Sequence, residues 1–206
     1  MAKKRGFPRR SALESGTRIM KKKDYLKRPI RHIDMKAIDA TAIVDAMKEM
    51  SFTARDLGSA AEIYDRMLAD RKCAIILTIA GSTSAGGCMQ IYADLVRHHM
   101  VDAVVATGAT VVDMDFFEAL GFRHYRGSPQ VDDRQLRRLY IDRIYDTYID
   151  EEELQVCDRT IKAIADALPP RPYSSREFIR EMGRYLAVHA KKKDSLVQAA
   201  YEEDVP

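Results

Sequence analysis

The sequence lacks tryptophan, long apolar runs and a pattern of closely spaced cysteines. Cys73, Cys88 and Cys157 are far apart and odd in number, which excludes a disulfide framework and does not match the spacing of zinc ligands. No run of about 18 apolar residues occurs, so no transmembrane helix and no membrane association are predicted. The N-terminus lacks the apolar segment of a signal peptide, which predicts a cytoplasmic protein.

Hydrophobic and charged residues are present in the proportions of a folded chain. Hydrophobic residues make up 46% and charged residues 32% of the 206 positions. Enough apolar side chains are therefore available to build a core, which excludes an intrinsically disordered protein. The length fits one domain.

Positive charge is concentrated at the N-terminus. Residues 1–31 contain twelve lysines and arginines against two acidic residues, a net charge of +10, which leaves −7 for the rest of the chain. Such a segment either neutralises phosphates of a nucleic acid or membrane, or is a solvated terminus. The basic clusters lack the regularly interleaved aromatic residues that stack on bases. We therefore interpret residues 1–31 as a basic, flexible arm and expect no nucleic-acid partner.

A change of hydrophobic pattern predicts parallel strands in the middle of the chain. The almost continuously apolar run Cys73–Ile79 is typical of a strand that is buried on both faces. A glycine-rich turn, Gly81–Gly87, follows it, and then come a helix over Met89–Met100 and a second apolar run, Val101–Ala106. Strand, turn, helix and strand in this order predict a right-handed βαβ unit.

Helical patterns flank this unit. Apolar residues at helical spacing predict helices over Ile38–Met50 and residues 53–68. Later in the chain, Asp150–Leu168 begins with a capping aspartate and Ser174–Ala190 with a capping box. Residues 136–148 fit either a helix or an extended segment, because Ile, Tyr and Thr also favour strands.

The sequence predicts an α/β fold with a Rossmann-like parallel sheet flanked by helices. Only two parallel strands are evident, whereas doubly wound sheets usually have five or more. Either a third strand lies within residues 121–148 or the sheet is incomplete in this chain, which is the interpretation we prefer. The C-terminal Glu202–Pro206 has the composition of an approach to a further strand.

Two turns of small residues indicate a ligand crevice. Gly81–Gly87 leads into a helix N-terminus, where backbone N–H groups favour a phosphate. Thr107–Thr110 follows the neighbouring strand, at the sheet edge where ligands of α/β proteins bind. Neither the P-loop nor the dinucleotide fingerprint is matched, so the pattern predicts only a phosphate or nucleotide site. Asp113 is either a charge favoured by the helix dipole or a carboxylate that faces a cationic substrate.

The remaining polar candidates have structural interpretations. We expect His124 in a surface loop, Cys88 as a small buried residue and Lys191–Lys193 at a solvated helix end. Asp115 is expected to point away from the crevice that Asp113 faces.

The stretch Ile79–Gly121 resembles the deoxyhypusine synthase family. Three segments carry the resemblance, Ala80–Gly87, Leu95–Asp102 and Val105–Asp113. They are similar to a Ser/Gly turn, a helix that ends in His-x-Met-Val-Asp, and a Thr-rich turn followed by an acidic residue. The Gly-Ser-Thr-Ser-Ala-Gly segment and Asp113–Phe122 look most like the bacterial and archaeal deoxyhypusine synthase-like branch.

The resemblance, which covers about residues 15–206, implies an NAD-binding α/β domain over residues 32–206 that forms tetramers. In this family NAD oxidises spermidine, and the aminobutyl group moves to an enzyme lysine and then to an acceptor amine. The acceptor is a protein lysine in deoxyhypusine synthases and putrescine in homospermidine synthases. Carried over by position, Asp113 would bind the polyamine and four residues of the two turns would line NAD. These four are Gly81, Ser82, Thr107 and Gly108.

Two features differ from the family pattern. Ser82 and Asp113 stand where eukaryotic members have Asn and Glu. The family's nucleophilic lysine lies in a C-terminal part that this chain lacks, so no catalytic residue is assigned here, and that part or a partner chain is expected to supply it. The alternative interpretation is a non-catalytic nucleotide-binding or regulatory subunit. Neither interpretation implies a metal.

Overall fold

The computed structural model describes residues 20–206 and shows a mixed α/β fold. Its helices are α1 (Lys22–Tyr25), α2 (Thr41–Lys48), α3 (Thr53–Ala69), α4 (Met89–Arg97), α5 (Phe117–Ala119), α6 (Asp133–Arg138), α7 (Glu151–Asp166), α8 (Ser175–His189) and α9 (Leu196–Glu202). Its strands are β1 (Ile76–Ile79), β2 (Ala103–Ala106), β3 (Tyr125–Arg126), β4 (Ile141–Ile144) and β5 (Thr147–Asp150). Wider π-helical turns, Ser84–Cys88 and Ala109–Phe116, precede α4 and α5, and a short 3-10 turn, Met35–Ala37, precedes α2. Among these helices, none has the length and apolar character that crossing a membrane requires.

The predicted βαβ unit is confirmed. β1 and β2 are parallel and are joined through α4, with Ile76 opposite Ala103 and Ile79 opposite Ala106. On one face of this pair, Ile79 packs with α4 and α9 in an apolar cluster. Beside β2, the Val104 N–H donates to the Pro206 carbonyl over 2.8 Å, so the C-terminal residue lies next to the strand, although residues 203–206 form no strand themselves.

The other face of the parallel pair is open. Ile76 is 61% exposed and Val105 is 60% exposed, and both side chains point to this face. The prediction of burial on both faces is therefore wrong for the residues described, because no element of residues 20–206 covers these side chains. Parallel strands normally have both faces covered.

Residues 125–150 contain the strands of a second, antiparallel sheet. Its order is β3-β5-β4, separate from the β1–β2 pair, and α6 precedes it. A third parallel strand in this region is therefore wrong for the described chain. Tyr148 on the central strand β5 packs with Leu136 and Ile141 in an apolar cluster of its own.

The long C-terminal helices form where their caps predict. The Asp150 carboxylate accepts hydrogen bonds from the N–H groups of Glu152 and Glu153 at the start of α7. Ser174 and Glu177 make the reciprocal capping box of α8. The apolar faces of the two helices build the main core around the π-helical turns, with Cys157, Ile164, Met182 and Leu186 buried among Phe116 and Phe117.

The second half of the basic segment belongs to the fold. The Lys22 ammonium lies 2.6 Å from carboxylate oxygens of both Asp150 and Glu152. Tyr25 packs edge-on against Tyr148, and Pro29 forms an antiparallel bridge with Tyr125. Residues 20–31 therefore differ from the flexible arm that their charge predicted, because apolar and backbone contacts hold them on the body. The rest of the predicted arm lies outside the described residues.

Candidate functional site

The two small-residue turns meet at the carboxyl ends of β1 and β2, as predicted. The Thr107 N–H donates to the Ile79 carbonyl over 3.3 Å, and the Thr110 hydroxyl donates to the Gly81 carbonyl over 3.1 Å. Thr107 Oγ1 and Thr110 Oγ1 are 3.1 Å apart. Because the strands are parallel and adjacent, these bonds fix both turns on one edge of the sheet.

The four predicted cofactor residues lie on the accessible side of this edge. Gly81, Thr107 and Gly108 are exposed and Ser82 is half-buried. A Cβ atom added at Gly81 or Gly108 would meet no atom within 4 Å, so the backbone there is open to a ligand. Gly81 also has φ +72°, a left-handed conformation that favours glycine.

The turn offers hydrogen-bonding groups that its own fold does not use. The Ser84 hydroxyl is buried and has no partner among the described residues. The turn then passes through Gly87, whose φ of +115° and close approach to the Arg31 carbonyl require glycine. The Ile33 N–H donates to the Gly87 carbonyl over 3.0 Å, which holds the turn in place. Open backbone, small residues and an unused hydroxyl at a helix start fit the phosphates or ribose of a dinucleotide such as NAD.

Asp113 lies further along the π-helical turns that begin at Ala109 and faces α7. Its carboxylate is half-buried, and burial, together with the nearby Asp158 carboxylate on α7, raises its pKa. Two carboxylates that repel each other form a site of negative potential. Asp158, which the sequence pattern did not single out, therefore adds to the candidate site a second group that suits a cation.

Asp115 points elsewhere, as predicted. Its fully buried carboxylate accepts hydrogen bonds from the Ser195 hydroxyl and from the N–H groups of Leu196 and Val197, over 2.6 to 2.9 Å. Burial raises the pKa of Asp115 to about 6, although these three bonds act in the opposite direction. Asp115 therefore ties the π-helical turns to the start of α9 and takes no place in the crevice.

A buried charge cluster at Glu118 was not found from the sequence. Glu118 is 4% exposed, and its carboxylate lies 2.7 Å from His124 Nδ1, 2.7 Å from His32 Nε2 and 2.5 Å from Lys192 Nζ. Burial alone would raise its pKa, but the hydrogen bonds from His124, His32 and Lys192 outweigh burial and hold the pKa well below its usual value. We call these four residues the Glu118 cluster; the described residues contain no set of ligands that suits a metal ion.

The Glu118 cluster corrects two expectations. His124 is fully buried rather than in a surface loop, because its loop turns inward at β3 and packs the ring against Phe117. Lys192 is paired with Glu118 rather than freely solvated, and the Lys191 N–H donates to the Ala119 carbonyl. The partners come from positions 32, 118, 124 and 192, a separation that no local pattern reveals.

The geometry thus defines a mixed α/β chain with two ligand-accessible turns at the ends of parallel strands. The deoxyhypusine synthase family model matches residues 42–206. A "deoxyhypusine synthase-like protein" of Coxiella burnetii is 68% identical over 186 residues, and one of Caulobacter vibrioides is 59% identical; each match covers 90% of this chain. The chain belongs to the deoxyhypusine synthase family.

More distant relatives agree with this assignment. A "probable deoxyhypusine synthase 2" of Methanosarcina acetivorans is 31% identical over 88% of this chain. A crystal structure of a "putative deoxyhypusine synthase" from Entamoeba histolytica superposes with a TM-score of 0.57 at 18% identity, over 85% of this chain and 60% of that one, which shows a shared fold. The chain spans about half the length of the curated relatives it matches, 53% for the Coxiella protein and 52% for the Methanosarcina protein.

Proposed function

We propose that this chain supplies the NAD-binding and polyamine-binding half of a deoxyhypusine synthase-like transferase, which moves the aminobutyl group of spermidine to an acceptor amine. The observation that carries the proposal is the pairing of the two open turns at the ends of β1 and β2, beside a helix that bears Asp113. The acceptor is a protein lysine or a small amine such as putrescine.

Gly81, Ser82, Thr107 and Gly108 would hold NAD, which supplies a hydride acceptor when it is bound. Gly81 and Gly108 allow the close approach of backbone to ligand, since nothing lies within 4 Å of an added Cβ. The Ser82 hydroxyl can donate to ribose or phosphate oxygens, whereas the Thr107 hydroxyl donates to Thr110 Oγ1 and can accept from a ribose hydroxyl. Ser84, whose buried hydroxyl has no partner, is a further donor on the same turn.

Asp113 and Asp158 would hold the polyamine. Spermidine is polycationic at neutral pH, and its ammonium groups would neutralise two carboxylates that repel each other in the absence of ligand. A half-buried carboxylate also stabilises positive charge that develops beside the secondary amine during its oxidation. Asp113 would thus take the cation-binding role that its sequence position suggests.

The open face of the β1–β2 pair supports a division of the site between two parts of the protein. Ile76 and Val105 are exposed there, and a parallel sheet needs a cover. We propose that the further half found in the relatives, in the same protein or a partner chain, packs on this face, supplies the nucleophilic lysine and completes a cytoplasmic homotetramer. The chain alone would then bind ligands without catalysing transfer.

Substitution of Gly108 tests the NAD site without disturbing the fold. Gly108 has helical φ and ψ of −55° and −39°, and the space around its Cβ is empty. Gly108→Val should therefore leave the unfolding midpoint nearly unchanged but weaken NAD binding at least tenfold, about 1.4 kcal/mol, because the side chain would occupy the ligand's place. Calorimetric titration of the 206-residue chain with NAD measures the loss.

Ala165→Val is the matched control, because it places the same valine side chain on the exposed face of α7. It should leave NAD affinity within about twofold of the unsubstituted chain. The NAD assignment is wrong if folded Gly108→Val binds NAD normally, or if the unsubstituted chain binds no NAD at about 1 mM.

A further inference from the structure

A basic groove lies beside the glycine-rich turn. It encloses about 690 Å³, and four cationic side chains line it together with Gly86 of the turn. The four are Lys27, Arg28, Arg31 and Arg126. We call this feature the basic groove; its size is that of sites for small ligands.

Most of the positive charge of the basic groove has no ion-pair partner among the described residues. Arg28, Arg31 and Arg126 are exposed and form no ion pair within residues 20–206, and Lys27 pairs only with Asp24. Asp146 also lines the groove but forms no ion pair there. The groove therefore has unused capacity for an anion.

The backbone forces two of these cations together. Pro29 bridges Tyr125 in antiparallel pairing, and the Arg126 N–H donates to the Arg28 carbonyl over 2.7 Å, so Arg28 and Arg126 are directly opposite each other. Like charges at opposed positions of an antiparallel pair destabilise it. The chain thus carries a local repulsion that a bound anion would remove.

The segment that carries Arg28 and Arg31 is attached to the fold at two points. On one side, the Ile30 N–H donates to the His124 carbonyl over 2.8 Å. On the other, His32 next to Arg31 lies 2.7 Å from the buried Glu118. These contacts hold the segment beside β3, so the groove is present in the structure without a ligand.

We propose that the basic groove binds a small ligand that carries two or more phosphate groups. Guanidinium groups bind phosphate oxygens in pairs, and three of them line this groove. Two sources share this chemistry: the diphosphate of a nucleotide held on the neighbouring turn, or a separate phosphorylated metabolite. The proposal does not depend on the proposed function, because inorganic polyphosphate can probe the groove without NAD.

Titration with tripolyphosphate tests the groove directly. The unsubstituted 206-residue chain should bind tripolyphosphate, with an affinity that falls as salt is added. The double variant Arg28→Gln/Arg126→Gln should bind tripolyphosphate at least tenfold more weakly. Without ligand, this variant should melt at the same or a higher temperature than the unsubstituted chain, because the repulsion between the two opposed arginines is gone. The charge-matched control Arg134→Gln/Arg159→Gln, on exposed positions outside the groove, should stay within about twofold.

Competition separates the two sources. If NAD displaces tripolyphosphate, the groove holds the nucleotide's own diphosphate; if both bind together, it holds a separate phosphorylated ligand, and either result supports the proposal. Absence of tripolyphosphate binding at about 1 mM, or equal affinity of the groove variant and its control, would overturn it. A single-stranded oligonucleotide that binds more than tenfold more tightly than tripolyphosphate, and loses affinity in the groove variant, would assign the surface to nucleic acid instead.

Discussion

The strand-end turns and the Glu118 cluster use polar groups in opposite ways. At the turns, Gly81, Thr107 and Gly108 are exposed and open space surrounds the glycines. In the Glu118 cluster a buried carboxylate has cationic or hydrogen-bonding partners on both oxygens. The strand-end turns therefore leave backbone surface accessible to a ligand. In the Glu118 cluster, by contrast, the polar groups bind one another and hold distant chain segments together.

This contrast separates residues that bind from residues that position. Deleting a group in the Glu118 cluster leaves buried partners without compensation, so stability suffers first. Obstructing the open space around Gly81 or Gly108 removes no contact that the fold uses, so ligand affinity suffers first. The substitutions Glu118→Gln, Asp115→Asn and Asp113→Asn test that division. The largest effect is expected for Glu118→Gln.

Glu118→Gln should lower the free energy of unfolding by about 3–5 kcal/mol, because Lys192 and the two histidines lose a buried charge partner. Urea denaturation at pH 7 measures the loss. Since the folded protein holds the pKa of Glu118 below its unfolded value of about 4.5, the stabilisation is present above that pH and disappears as the pH falls further. The difference between the two proteins should therefore shrink in acid.

Glu62→Gln is the control for this experiment. Glu62 forms a surface ion pair with Arg66 one helical turn away, and such pairs contribute about 0–1 kcal/mol. Equal losses for Glu118→Gln and Glu62→Gln would contradict the structural role of the cluster.

Asp115→Asn should change how stability depends on pH. The folded pKa of about 6 lies above the unfolded value of 3.8, so the Asp115 contribution is fully present below about pH 4 and is lost as the pH rises through 6. The stability advantage of the unsubstituted chain over Asp115→Asn should therefore fall by roughly 2–3 kcal/mol across that range. Thermal unfolding at pH 4 and pH 7 measures the change. Asp65→Asn on the exposed face of α3 should show no such trend, and a trend of the opposite sign for Asp115→Asn would refute the burial argument.

Asp113→Asn should affect ligand binding more than folding. Replacing a carboxylate that Asp158 repels removes an unfavourable interaction, so the unfolding free energy should stay the same or rise slightly. Spermidine affinity, measured by calorimetric titration of the 206-residue chain, should fall at least tenfold, or about 1.4 kcal/mol. Asp158→Asn should show a smaller loss of the same kind. Normal spermidine binding by both variants would return Asp113 to a helix-dipole role.

Local patterns predicted the local elements well. The caps at Asp150 and Ser174 lie at the starts of α7 and α8, and the apolar run before the glycine-rich turn contains β1. The pairing of the two turns also followed from sequence, because parallel strands joined by one helix must end at the same edge. These features depend on residues that are close together in the chain.

The same patterns failed where distant segments meet. Residues 20–31 were assigned by charge to a flexible arm, but Tyr25 and Pro29 attach them to the antiparallel sheet. Residues 136–148 contain the end of α6, all of β4 and the start of β5, which periodicity does not separate because β-branched and aromatic residues fit both patterns there. The apolar pattern of β1 and β2 predicts that both faces of the pair are buried. It does not show which element covers each face, and Ile76 and Val105 are exposed in the described chain.

The sequence by itself determined the family, the βαβ unit and the two turns, because these depend on short-range patterns of apolar and small residues. The tertiary structure alone decided that Glu118 is buried among His32, His124 and Lys192, and that Arg28 stands opposite Arg126. Burial and charge neutralisation depend on which distant segments pack together. A one-dimensional pattern shows that a residue is charged, but only packing decides whether water, a neighbouring residue or a ligand solvates that charge.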